Sequence, residues 1–266
     1  MTATKALVDG AIVAKRNLIK IKRVPDLLVF STMSPIMFIL LFAYVFGSAI
    51  SPGGHANYRE FLIPGIFAQT VIFGSTITGA GMADDIQKGI IDRFRSLPMS
   101  RSAVLVGRTT SDLLNNVLVV VIMSVTGLII GWRIRTGFVD AAVGFLLLLA
   151  FAYAMSWVMA LVGLIVPSPE VVNNASFMLI FPFTFIANTF VPTNNFPAVL
   201  KAIANWNPVS SVTQAERELF GNTGGVPPIH TWPLEHAKVY TLLWCIFLVA
   251  VFVPLSVRQY RRAASR

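Results

Sequence analysis

Six apolar runs, each of 19 residues or more and none with an Asp, Glu, Lys, Arg or His in its middle, leave this chain few folds to choose from. About 20 apolar residues in a helix cross the roughly 30 Å of hydrocarbon in a bilayer. Only 12% of the residues are charged, and the mean hydropathy is +0.72. A water-soluble domain carries about twice that charged fraction, so this chain has too little polar surface to cover a water-facing globule. In lipid every backbone N–H and C=O must find an internal partner, which for runs of this length means helices.

The runs are Leu27 to Ala49, Phe61 to Met82, Val104 to Ile130, Val139 to Val166, Val171 to Val191 and Val239 to Val257. Pro35 bends the first, and Pro167-Ser168-Pro169 separates the fourth from the fifth. The second is rich in small residues (Gly65, Gly74, Ser75, Gly79, Gly81) of the kind that let helices approach closely. Ahead of the first run, residues 1–24 place Leu7, Ala11, Ala14, Leu18 and Ile21 on one stripe and mostly charged side chains opposite, a helix lying on the membrane surface. The run that follows is too long for a signal peptide and ends in no small-residue cleavage site. Basic residues set the orientation: with the N-terminus inside, fifteen fall on cytoplasmic segments and six on exterior ones. Both termini are therefore expected in the cytoplasm. The expected fold is an all-α membrane protein: an interfacial helix (1–24), a six-helix transmembrane domain (25–258) and a basic tail (259–266).

The net charge of +9 does not indicate nucleic acid, because the basic residues cluster at the ends of apolar runs, where they suit lipid headgroups. Cys245 stands alone inside an apolar run and forms no internal disulfide. His230 and His236 flank Glu235, but their spacing fits no common ligand pattern, so no metal is expected. Without ionisable groups at mid-membrane, proton-driven antiport and charged-filter conduction lose their usual carriers. Arg108 and Asp112, a possible i,i+4 pair, lie near the cytoplasmic mouth of the third run. There is no phosphate loop, no His-Glu-x-x-His and no Gly-x-Ser-x-Gly, hence no expected catalytic residue and no cofactor on this chain. Energy for transport must come from a partner.

Two loops carry pattern. Residues 84–98 set Ile86, Ile90, Ile91 and Phe94 on one edge and Asp85, Lys88, Asp92 and Arg95 on another, a short cytoplasmic amphipathic helix stopped by Pro98. Such a helix either docks on a partner or rests on the lipid surface. Between the fifth and sixth runs, 192–238 is a long exterior segment with short helices at Phe196 to Trp206 and Ser210 to Phe220.

The run Gly89 to Arg101, with Arg93-Phe94-Arg95-Ser96-Leu97-Pro98 at its centre, resembles the loop of ABC type-2 exporter permeases, in particular the daunorubicin-resistance type. Gly107-Arg108, Asp112, Gly131-Trp132-Arg133, Asn207-Pro208, Ala215 and Arg217 add to the likeness, which covers essentially the whole chain. Many relatives carry a Glu-rich stretch where this chain has Asp84 and Asp85.

The resemblance implies a complex of two permeases and two ATPase subunits, with ATP and Mg on the latter, in a bacterial cell membrane. Asp92, Arg93, Phe94, Arg95, Leu97 and Pro98 would dock on the ATPase. The substrate path would run between permeases along the second and fifth spans, past Gln69, Phe73, Thr76, Phe181, Phe185 and Asn188. The cargo implied is a hydrophobic or amphiphilic compound such as a drug or lipid-like molecule. Competing readings are a permease for a polymer or lipid-linked glycan and a membrane enzyme or assembly factor. A small exterior loop and many Phe residues favour the discrete amphiphile. The orientation is tested with Thr223→Cys and Ser265→Cys in intact cells: impermeant thiol reagents should label the first and spare the second.

Overall fold

A computed structural model describes residues 25–46, 55–90, 103–166, 168–223 and 230–263, and every regular element among them is helical. The helices are α1 (Pro25–Leu40), α2 (His55–Gly74), α3 (Thr76–Gln87), α4 (Ala103–Ile129), α5 (Phe138–Ile165), α6 (Pro169–Ile186), α7 (Ala198–Trp206), α8 (Pro208–Phe220), α9 (Trp232–Glu235) and α10 (Ala237–Ala263). A π-helical turn, Leu41–Phe46, continues α1. The surface helix expected over 1–24 and the docking residues Asp92 to Pro98 lie outside the described residues.

Four helical stretches are long and apolar enough to cross a membrane: Tyr58–Gln87, Val104–Ile129, Phe138–Ile165 and Ala237–Arg262. Each matches an expected run. The first run appears as a shorter apolar stretch, Thr32–Val45. The fifth differs most, because α6 stops at Ile186, five residues before the apolar run ends. Its last turn is claimed by distant side chains: the Asn207 amide donates to the Phe183 carbonyl at 2.7 Å. The Asn188 N–H donates to Ser210 Oγ at 3.0 Å instead of continuing the helix.

Two further differences are informative. The helix of the second run continues through Asp84 and Asp85 to Gln87, so the charged loop starts only at Lys88. Gly89 then adopts φ +64°, a left-handed conformation that suits glycine and ends the helix. The segment expected as a second short exterior helix, α8, is not a surface element. It packs against α2, α5 and α10, and its polar residues Ser210, Ser211, Thr213, Glu216 and Arg217 are all buried.

Small residues set the closest helix contacts. A Cβ on Gly163 of α5 would collide with the backbone carbonyl of Gly79 in α3, and one on Gly65 would collide with the Thr189 carbonyl. The second run bends at Gly74-Ser75, where Ser75 Oγ donates to the Ile72 carbonyl at 2.6 Å and Thr76 Oγ1 to the Phe73 carbonyl at 2.7 Å. Hydroxyls that take carbonyls from the helix ladder favour such bends. In the first turn of α3, Thr78 donates to Asp112 of α4 at 2.5 Å, and Arg108 of α4 donates to the Ile77 carbonyl at 3.1 Å. These contacts tie α3 to α4. Gly163→Ala should lower the thermal unfolding midpoint in detergent, with a cost of about 1–3 kcal/mol from overpacking. Gly137→Ala, which meets open space, should leave it unchanged.

Candidate functional site: two cavities flanking α6

The helices α1, α2, α3, α4 and α6 enclose a cavity of about 360 Å³. Of the six residues assigned to a substrate path, four line it: Gln69, Phe73, Thr76 and Phe181. Gln69, Phe73 and Thr76, at i, i+4 and i+7, share its wall, and Phe181 enters from α6. Opposite them α4 supplies Asn115 and Asn116, and Phe177 stands one turn before Phe181. The lining thus sets aromatic rings of α2 and α6 beside amides and hydroxyls of α2, α3 and α4.

Phe185 is not in the lining but extends its aromatic wall. Phe177, Phe181 and Phe185 repeat at i,i+4 along α6, so their rings stack at centroid distances of 5.0 and 4.1 Å. The ladder begins at Phe73, 6.1 Å from Phe177, and continues through Phe190, 5.0 Å from Phe185, to Phe42, 4.4 Å further. It leads from the cavity to the end of the bundle where α8 lies. Phe177, Phe190 and Phe42 were not singled out in the sequence, although the i,i+4 spacing of Phe177 was there to be used. Asn115-Asn116, two amides inside an apolar run, were an equally available signal.

Asn188 does not reach the cavity. It is buried where α6 breaks, and its backbone takes part in a different arrangement centred on Arg217. Arg217 Nε donates to the Phe61 carbonyl at 2.8 Å, and Nη2 donates to the carbonyls of Asn188 and Thr189 at 2.8 and 3.1 Å. The guanidinium carbon lies 3.4 Å from the centre of the Phe61 ring. Burial pulls the Arg217 pKa below its ordinary value; three carbonyl oxygens and a ring face stabilise the cation in return. Around it, Asn207 caps α8 by accepting from the Val209 N–H at 2.8 Å. Trp132 Nε1 donates to Asn222 at 2.7 Å, and Glu60 pairs with Arg135. His230 contacts Glu235 at 3.1 Å, whereas His236 turns to the Trp232 carbonyl, so the two histidines do not converge.

The other face of α6 borders a larger cavity of about 660 Å³, lined almost wholly by apolar side chains of α5, α6, α8 and α10. Ser176, its one hydroxyl on α6, is buried without a hydrogen-bond partner among the described residues. The helix between the two cavities is itself poorly covered: Met178 is 78% exposed and Leu179 64%.

A bundle of long apolar helices, with a cavity of mixed aromatic and amide lining among them, defines a multi-pass membrane protein. The family model of the ABC-2 type transporter matches residues 10–220, and the chain belongs to that family. It is 34% identical over 248 residues to a daunorubicin resistance ABC transporter permease protein of Streptomyces coeruleorubidus, covering 92% of this chain and 83% of the relative. It is 27% identical over 231 residues to a doxorubicin resistance ABC transporter permease protein of Mycobacterium tuberculosis, covering 84% and 78%.

Arg217→Lys should destabilise the chain by roughly 2 kcal/mol, because a single ammonium cannot serve three carbonyls in a fixed fork. Thermal unfolding beside Arg133→Lys, at an exposed arginine, measures this; equal midpoints would contradict it.

Proposed function

We propose that this chain is the permease subunit of an ATP-driven exporter that moves hydrophobic or amphiphilic compounds bearing flat aromatic rings out of a bacterial cell. The observation that carries this is the cavity between α2, α4 and α6, whose aromatic rings suit apolar rings and whose amides and hydroxyls suit their polar edges. Membership of the ABC-2 type family and likeness to drug-resistance permeases support it. In this reading α1 and α6 complete six spans, both termini are cytoplasmic, and the exposed face of α6 meets a second permease. The path runs from the cavity along Phe181 and Phe185, with Asn188 at its exit. This chain performs no catalysis, and a separate ATPase subunit holds ATP and Mg and docks on Asp92, Arg93, Phe94, Arg95, Leu97 and Pro98.

Efflux and ATPase pull-down separate the parts of this reading. Phe181→Ala should change preference among planar amphiphiles while leaving the ATPase bound. Phe94→Ala should weaken ATPase binding by about 2 kcal/mol, as loss of a buried anchor does, or uncouple hydrolysis from efflux; Gln87→Ala is the control. Unchanged preference for Phe181→Ala would make that ring packing, and unchanged binding and coupling for Phe94→Ala would remove the docking assignment.

A further inference from the structure

One ionisable group at the α8 end serves neither the cavity nor the Arg217 contacts. Glu216 is fully buried, and neither of its carboxyl oxygens has a hydrogen-bond partner among the described residues. It stands one turn from Val212 and one turn from Phe220, both within the apolar core. That places it on the apolar-packed face of α8, apart from Ser210 and Arg217, which reach the end of α6, and from Ser211, which bonds Thr241.

The charged and titratable groups on the elements around α8 are directed elsewhere. On α2, Glu60 pairs with Arg135, Arg59 donates to the Ile130 carbonyl and Tyr58 to the Phe190 carbonyl. On α10, Lys238 faces Glu218 and Tyr240 donates to the Trp206 carbonyl, while Cys245 is a buried free thiol. Lys201 of α7 reaches the Asn194 carbonyl, and the α9 residues Glu235 and His236 contact His230 and the Trp232 carbonyl. On α5, Asp140 is exposed and Tyr153 packs on Trp157. An unpaired carboxylate in such surroundings is far more costly than the neutral acid, and burial pushes the Glu216 carboxyl well above the usual glutamate range.

We propose that Glu216 is a proton-binding site of the closed α8 end, occupied while Arg217 joins α2 to the end of α6 and vacated when those contacts part. The inference rests on the export reading in one respect: cargo leaving the cavity past Phe185 and Asn188 requires that end to open. Opening admits water to α8, the carboxyl ionises, and its proton passes to the exterior solution. The closed state has the higher pKa. Its proton-linked advantage is therefore complete below the open-state pKa and is lost as exterior pH rises through the closed-state value.

The test uses the full chain with its ATPase in proteoliposomes, with Cys245→Ala and a reporter Thr213→Cys on α8. Impermeant maleimide labelling is followed between roughly pH 6 and pH 9, the range in which buried glutamates titrate. With Glu216 present, labelling should accelerate several-fold more across this range than in Glu216→Gln. The amide mimics the protonated acid, so its labelling should rise only as far as the reporter thiol's own ionisation dictates; comparing the two removes that contribution. Infrared spectra at neutral pH should show a protonated-carboxyl band that Glu216→Gln abolishes. If Gln prevents folding, Glu216→Met replaces it. Identical pH profiles, or no Glu216-dependent carboxyl band, overturn the proposal. A Glu216-dependent profile in a complex that moves no amphiphile would instead uphold the proton site and defeat the export reading.

Discussion

The α8 end of the bundle is organised by where the backbone carbonyls at the broken end of α6 find donors. A chain that stops being helical inside an apolar interior exposes carbonyls that hydrocarbon cannot satisfy. Here one guanidinium takes those of Asn188 and Thr189 and joins them to Phe61 of α2. This draws α8 inward among α2, α5 and α10, an unusual place for a 13-residue helix with so many polar side chains. Asn207, which caps α8 while bonding Phe183, fixes the angle of entry. The residues that carry the family likeness in this region, Asn207 and Arg217, are thus the ones that hold it together.

The same arrangement frees α6 to serve as a partition. Phe177 and Phe181 look into the mixed cavity, while Leu179 and Phe183 border the larger apolar one. A helix with separate neighbours on two sides and an exposed methionine, Met178, between them is ill-suited to burial within a single chain, which accords with a partner on that face.

Much of the fold was legible because hydrocarbon thickness fixes helix length. The runs beginning at Val104 and Val139 match α4 and α5 to within a residue at either end. What the sequence concealed was decided at long range. The apolar residues 187–191 read as more helix, yet Ser210, Asn207 and Arg217, some twenty to thirty residues on, terminate it. The serines, threonine and charges of α8 read as a short exterior helix, because composition alone cannot distinguish a polar face bonded to carbonyls from one bonded to water. In the cavity, Gln69, Phe73, Thr76 and Phe181 come together since helical spacing predicts which side chains share a face. Asn188 does not, since it lies past the point where that spacing ends.

The bend at Gly74-Ser75 divides one membrane-length helix between two sets of neighbours. The half before it packs on α1, α4, α5 and α8; the half after it packs mainly on α5 and α6 and is tied to α4, with glycine-to-glycine backbone contact and the Thr78–Asp112 bond as its fasteners. The cavity straddles the joint. A rod clamped at both ends and weakened in the middle concentrates strain at the weak point, so relative displacement of the two clamps is converted first into a change in the shape of the chamber beside it.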